Sequence, residues 1–349
     1  MKKVLSLILA FAMVTGIMAG CSSTAGDESS QPPATTEPAG ADSTEETTSY
    51  PVTIENNGIT TTYESAPERI VAVEYPVAEI LVALGLGDKV VALAPSMNTI
   101  DEVLPQYREE VSQIPMFPES GMNNGTPTLE AILAVEPDFV YGTSYTFYAS
   151  NCGTPEDYAA NGINIYATEG TYVESPTLEN LYHDIENLGK IFDVRDRADE
   201  LIAELRAREE AVREAVSDIT DTKSVFVLDF DYGTGTYLTT GGATLEDYMI
   251  SIAGGENVFG DLGEQYVDVS SEEIINRNAE FVIVTNYYTE DDGQTKVDGM
   301  KNSVDFESLA AVQEDNFLIL SGVAVWPSLQ SLDALEAIAQ FLHPDAFAG

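Results

Sequence analysis

The stretch Arg69-Ile70-Val71-Ala72-Val73, an apolar run over 77–84, the stops Gly85 and Gly87, and then Val90-Val91-Ala92-Leu93-Ala94 together decide the fold class. The two short unbroken apolar runs read as strands buried on both faces, and the run between them, closed by glycine, reads as a helix. The same grammar continues outward with a helix over 128–135 broken by Pro137, a strand at Phe139-Val140-Tyr141, and a further helix and strand from Pro155 through Tyr166. It restarts at Ser224, with strands predicted over 225–228, 281–285 and 317–320 and helices over 244–253, 271–277 and 328–342. Strands alternating with helices predict parallel, helix-covered sheets, and hence two α/β lobes, over 51–175 and 222–349.

Between them lies a helical connector over 176–221. Its main helix, over 196–217, places Ala198, Leu201, Ile202, Leu205, Val212 and Val216 on one face, with charges elsewhere and neither Gly nor Pro. At 1.5 Å per residue it runs about 33 Å, roughly a domain width, which makes it a strut rather than a flexible hinge.

At the other end, Lys2 and Lys3 lead an apolar run that closes on Ala19-Gly20-Cys21. This pattern reads as a secretory signal over 1–20, too short to cross ~30 Å of hydrocarbon. The cysteine after Ala19-Gly20 resembles a bacterial lipobox, which makes Cys21 the expected lipidation site; the competing reading is an ordinary signal in which Cys21 is incidental. From 22 to 49 there is no Lys, Arg or aromatic residue, so 21–50 is expected to be a disordered acidic tether.

Composition narrows the function. With 59 acidic and 15 basic residues and a net charge of -44, the chain lacks the clustered cations that nucleic acid requires, and it repels anionic lipid. Membrane contact is therefore expected through the lipid anchor alone. Cys152 is the only thiol left for the folded part and reads as a buried or unpaired small residue. Two histidines, His183 and His343, cannot make an imidazole-rich zinc or manganese site, and neither falls beside a candidate nucleophile. No catalytic residue, resident metal or cofactor is expected. Asp229, Asp231, Glu290, Asp291 and Asp292 fit no calcium loop and read as solvated turns; Gly233-Thr234-Gly235 reads as a hairpin and Gly241-Gly242 as a turn.

Several segments, in order over roughly 65–345, resemble the iron-complex and vitamin B12 substrate-binding proteins of ATP-driven importers. Pro67-Glu68-Arg69-Ile70-Val71 through Glu79-Ile80-Leu81 to Leu84-Gly85-Leu86-Gly87-Asp88-Lys89-Val90-Val91 is similar to the family's opening. Thr128-Leu129-Glu130-Ala131-Ile132 with Glu136-Pro137-Asp138-Phe139-Val140 matches its next landmark, and Leu188-Gly189-Lys190-Ile191 precedes the connector as it does there. Gly254-Gly255-Glu256-Asn257-Val258-Phe259 and Val269-Ser270-Ser271-Glu272-Glu273-Ile274 match two landmarks of the second half. The resemblance implies two Rossmann-like lobes joined by one rigid helix, a ligand cleft between the lobes, and a permease and ATPase as partners. It also implies that Glu130 and Glu272 dock onto the permease.

In open α/β sheets, ligands sit beyond the carboxyl ends of the strands. The loops there hold Tyr75, Met97, Met116, Phe117, Tyr145, Phe147 and Tyr148 in the first lobe, and Tyr232, Tyr237, Tyr266, Tyr287, Tyr288 and Trp326 in the second. These are the candidate ligand-binding residues, some of them left to core packing. Aromatic rings suit a large, partly apolar chelate, with Tyr hydroxyls for its oxygens. An anionic chelate would want Arg or Lys, and the predicted rim has neither, which points to a neutral or cationic ligand. The expectation is a monomeric, lipid-anchored, non-enzymatic protein on the outer face of the cell membrane that captures a ferric siderophore of neutral or hydroxamate type. Cobalamin or haem is the alternative cargo, and a surface adhesion or sensory lipoprotein the alternative of another class.

Overall fold

The computed structural model describes residues 49–96, 99–123, 125–287 and 291–348, all within one unit, Glu45–Gly349. The chain enters as a hairpin, β1 (Val52–Asn56) and β2 (Ile59–Tyr63). Its Asn57-Gly58 turn takes φ of 49° and 71°, positive at both central residues, as an Asn-Gly hairpin turn permits. Asn56 fastens this hairpin to the sheet behind it. Its Nδ2 donates to the Ala167 carbonyl at 2.8 Å and its Oδ1 accepts from the Ala167 N–H at 2.7 Å, so one amide satisfies an edge-strand residue that would otherwise stand open.

The first lobe follows as β3 (Ile70–Val73), α1 (Tyr75–Ala83), β4 (Val90–Ala94), α2 (Pro105–Gln113), a short ribbon of β5 (Met122–Asn123) and β6 (Thr126–Pro127), α3 (Leu129–Ala134), β7 (Phe139–Gly142), α4 (Pro155–Ala160) and β8 (Asn164–Ala167). Its sheet runs β4-β3-β7-β8, parallel throughout. All four residues of β3 and of β7 are buried, as strands covered on both faces must be.

Two helices connect the lobes, α5 (Leu178–Phe192) and the 22-residue α6 (Arg195–Val216). The buried stripe of α6 contains Ala198, Leu201, Leu205, Val212 and Val216 and also a carboxylate, Glu209. Glu209 accepts from the hydroxyls of Tyr182 on α5 (2.8 Å) and Tyr248 (2.9 Å), the latter on the helix α7 introduced below, and pairs with Arg213 at 2.7 Å. One buried charge thus ties the strut to a helix on either side, which explains why an acidic residue sits in an otherwise apolar stripe.

The second lobe comprises β9 (Lys223–Leu228), β10 (Phe230–Asp231), β11 (Thr236–Thr240), α7 (Leu245–Ile252), β12 (Gly255–Asn257), β13 (Tyr266–Ser270), α8 (Ser271–Arg277), β14 (Phe281–Asn286), α9 (Asp292–Asn302), α10 (Ala310–Glu314), β15 (Phe317–Ser321) and α11 (Gln330–Leu342). Its parallel sheet runs β12-β9-β14-β15, and a small antiparallel sheet, β10-β11-β13, stands beside it. Numbered within each lobe, both parallel sheets have the order second, first, third, fourth. This α/β architecture with two Rossmann-like lobes is the one expected from the sequence.

Candidate functional site

In a sheet of that order the direction of winding reverses between the first and third strands, which opens a crevice at their carboxyl ends. The residues that leave those ends are Glu74 after β3, Thr143 after β7, Asp229 after β9 and Tyr287 after β14. Three of them, Glu74, Thr143 and Tyr287, line a cavity of about 710 Å³ between the lobes, with Val77 and Ile80 on one wall and Trp326 on the other. A second cavity of about 440 Å³ shares Thr171, Trp326 and Pro327 with the first and adds Tyr145, Glu246 and Tyr266. The two crevices face one another and form one cleft.

The lobes are in contact around it. Ser321 donates to Glu102 at 2.9 Å, Gln265 donates to the Val173 and Glu174 carbonyls at 3.3 Å, and the Tyr145 ring lies 5.7 Å from that of Trp326. Gly170 lies so near the Pro327 ring that a Cβ there would overlap it. Deeper in, Glu79 on α1 is fully buried and accepts from Leu104 N at 2.7 Å and from Gln330 Nε2 of α11 at 3.1 Å.

The structure brings together Tyr145, Tyr148, Tyr266, Tyr287 and Trp326. Tyr145 packs on Tyr148 at 6.0 Å as well as on Trp326, and both tyrosines are about half exposed on a further open face of the cleft. Tyr287 is held by a 2.6 Å hydrogen bond from its hydroxyl to Asp229 Oδ1. Other candidates are not at the cavities. Tyr75, Phe117, Phe147 and Tyr237 are buried in the cores, Phe147 against Tyr158 and Tyr237 against Phe306, because these rings cover strand faces that would otherwise be wet. Met116 and Tyr232 are exposed but line neither cavity. Met97, Tyr288 and Cys21 lie outside the described residues, as does Glu290 of the acidic group.

Sequence reasoning missed the carboxyls. Asp229, expected in a solvated turn, is 5% exposed, and burial raises its pKa above the ordinary carboxylate range. Behind it Lys296, also buried, donates to the Asp229 and Thr285 carbonyls and pairs with Asp292 at 2.8 Å. Asp292 therefore belongs to a buried ion pair rather than to a free turn. Glu74 takes a φ of 90°, a conformation that costs a non-glycine residue energy and that occurs mostly at functional sites. Its backbone N–H donates to the Ala94 carbonyl at 2.7 Å, but its carboxyl has no hydrogen bond or ion pair among the described residues, and burial pushes that carboxyl up to about 7. Glu246 is 2% exposed, its Oε1 is buried without a hydrogen-bond partner, and burial lifts it to about 8. Trp326 Nε1 is likewise buried and unpartnered. The sequence signal for Glu74 was its place directly after the strand Ile70-Val71-Ala72-Val73; Glu246 carried none.

Among the described residues, no Lys, Arg or His lines either cavity. The cleft is thus aromatic and apolar on its walls, acidic in its charged groups, and open enough for a ligand of several rings.

Comparison with known proteins places this geometry. The family model for periplasmic binding proteins matches residues 70–323. A vitamin B12-binding protein from Photorhabdus laumondii is 27% identical over 222 residues, 63% of this chain and 72% of the relative. The crystal structure of an ABC-type Fe3+-hydroxamate transport system protein from Saccharomonospora viridis superposes with a TM-score of 0.70 at 27% identity, covering 86% of this chain and all of that one. A periplasmic binding protein from Veillonella parvula shares the fold at a TM-score of 0.74 and 24% identity, covering 84% and 97%. With two like lobes, an interlobe cleft and a family match over most of its length, this chain belongs to the periplasmic binding protein family.

Proposed function

We propose that the protein is an extracytoplasmic substrate-binding lipoprotein of an ATP-driven importer and that it captures a neutral or hydroxamate-type ferric siderophore. The observation that carries this reading is the cleft itself. It is walled by Tyr145, Tyr266, Tyr287 and Trp326 and has no cation to meet an anionic chelate. The Saccharomonospora viridis relative, named for Fe3+-hydroxamate transport, favours the same cargo. The vitamin B12-binding relative supports cobalamin as the second reading. Both relatives are named for binding or transport, which supports a binding protein rather than an enzyme.

Transport requires docking, and two surface carboxylates are disposed for it. Glu130 and Glu272 are both exposed, both stand two residues after a helix-capping hydroxyl (Thr128 and Ser270), and both lie on the helix that precedes the third strand of their lobe. Neither makes an ion pair among the described residues. Equivalent unpaired charges on the two lobes suit a permease with matching arginines. On this reading Cys21 carries the lipid and 21–50 form the tether.

Tryptophan and tyrosine fluorescence quenching by a ferric hydroxamate, a ferric catecholate, haem and cyanocobalamin tests the cargo. Selective saturable quenching by the hydroxamate is expected; selective binding of cyanocobalamin would replace the cargo, and selective binding of the catecholate would refute the argument from charge. Reversing both charges, Glu130→Arg with Glu272→Arg, should abolish uptake while leaving ligand affinity unchanged. Loss of binding in that variant would refute the docking assignment.

A further inference from the structure

Each lobe contributes to the cleft walls one carboxyl group, Glu74 or Glu246, that meets no cation among the described residues. Glu74 stands at the end of β3 in a strained backbone conformation, facing the first cavity with no partner for its carboxyl among the described residues. Glu246 enters the second cavity from the first turn of α7 with Oε1 buried and unpartnered. Buried polar atoms in native structures are almost always paired, so an orphaned carboxylate oxygen at a cavity wall marks the place where a ligand supplies the missing donor. Among the described residues no cation supplies it: Lys296, the buried lysine behind Asp229, spends its donors on the Asp229 and Thr285 carbonyls and on Asp292. Trp326 Nε1, unpartnered on the wall that the two cavities share, asks in turn for an acceptor.

We propose that the ligand carries a positively charged, donating nitrogen, a protonated amine, which is read by Glu246 and Glu74 while a chelate oxygen accepts from Trp326 Nε1. This inference rests on the iron-chelate reading above and sharpens it from a neutral chelate to an amine-bearing one. A neutral donor would satisfy one oxygen; a cation satisfies a carboxylate oxygen and offsets the charge that burial otherwise penalises.

A matched pair of probes tests it by isothermal titration calorimetry: ferrioxamine B, a linear ferric trihydroxamate with one free primary amine, and the same chelate N-acetylated. The intact protein should prefer the amine form by on the order of tenfold, the ratio expected of one charge-assisted hydrogen bond over a neutral contact. Glu246→Gln and Glu74→Gln, which keep shape and remove the ionisable carboxyl, should each bring that ratio toward one. Equal affinity for the two chelates in the wild-type protein, or a preference that survives in both variants, would overturn the proposal and leave the hydroxamate reading standing. Binding of neither chelate would overturn the hydroxamate reading, and the proposal with it.

Discussion

Replacing Glu246 by Gln should flatten the dependence of stability on pH, by an amount the structure specifies. Glu246 is 2% exposed, and burial lifts its carboxyl from 4.5 to about 8. A carboxyl raised in the folded state contributes stability that is fully present below its unfolded value and lost as pH rises through the folded one. Going from about pH 5 to about pH 8, a folded value of about 8 against 4.5 removes on the order of 3 to 4 kcal/mol from the wild-type protein. Glutamine does not titrate, so the variant escapes this loss. Any cost of fitting the amide is the same at both pH values and cancels, as do the other titrating groups, which both proteins share. Urea denaturation of the two proteins at the two pH values measures the effect. The stability difference should move in favour of Glu246→Gln by on the order of 3 to 4 kcal/mol between about pH 5 and about pH 8. Stabilities that fall in parallel would show that Glu246 ionises normally in the folded protein and would remove the desolvation on which its role in the cleft depends.

Glu209→Ala, which leaves Arg213 and two tyrosine hydroxyls without their shared acceptor, should cost about 2 kcal/mol in urea denaturation. Asn56→Ala breaks both hydrogen bonds to Ala167 and should cost about 2 kcal/mol by the same assay. Gly170→Ala places a methyl against the Pro327 ring and should hold the lobes apart, lowering chelate affinity by on the order of tenfold by calorimetry, the scale of overpacking at a closed contact. Unchanged affinity would mean that the Gly170–Pro327 contact plays no part in the bound state.

Much of the fold was legible because its signals are local. Ile70-Val71-Ala72-Val73 and Phe139-Val140-Tyr141 are strands buried on both faces, and burial on both faces writes itself as an unbroken apolar run. The connector was legible from its period, down to its ends: 196–217 was expected and Arg195–Val216 is observed. The antiparallel β10-β11-β13 sheet was only half visible. The β10-β11 hairpin has its glycine turn, but β13 (Tyr266–Ser270) pairs with β11 across more than twenty-five residues of chain, which no local pattern records.

The site was legible in kind and not in detail. Aromatic residue types after strand ends located Tyr145, Tyr148, Tyr266, Tyr287 and Trp326, yet the same rule also selected Phe117 and Tyr237, which turn inward. Whether a ring faces a core or a cleft depends on what packs over it, and that is decided by elements distant in sequence. The acidic residues show the same limit more sharply. A carboxylate defaults to solvent, so Asp229 and Asp292 read as turn residues and Glu74 and Glu246 passed without notice. The sequence by itself determined the two α/β lobes and the strut between them, because periodicity and composition are properties of the chain. Only the tertiary structure decided which carboxyls are stripped of water, because desolvation is imposed by the other lobe and by helices dozens of residues away.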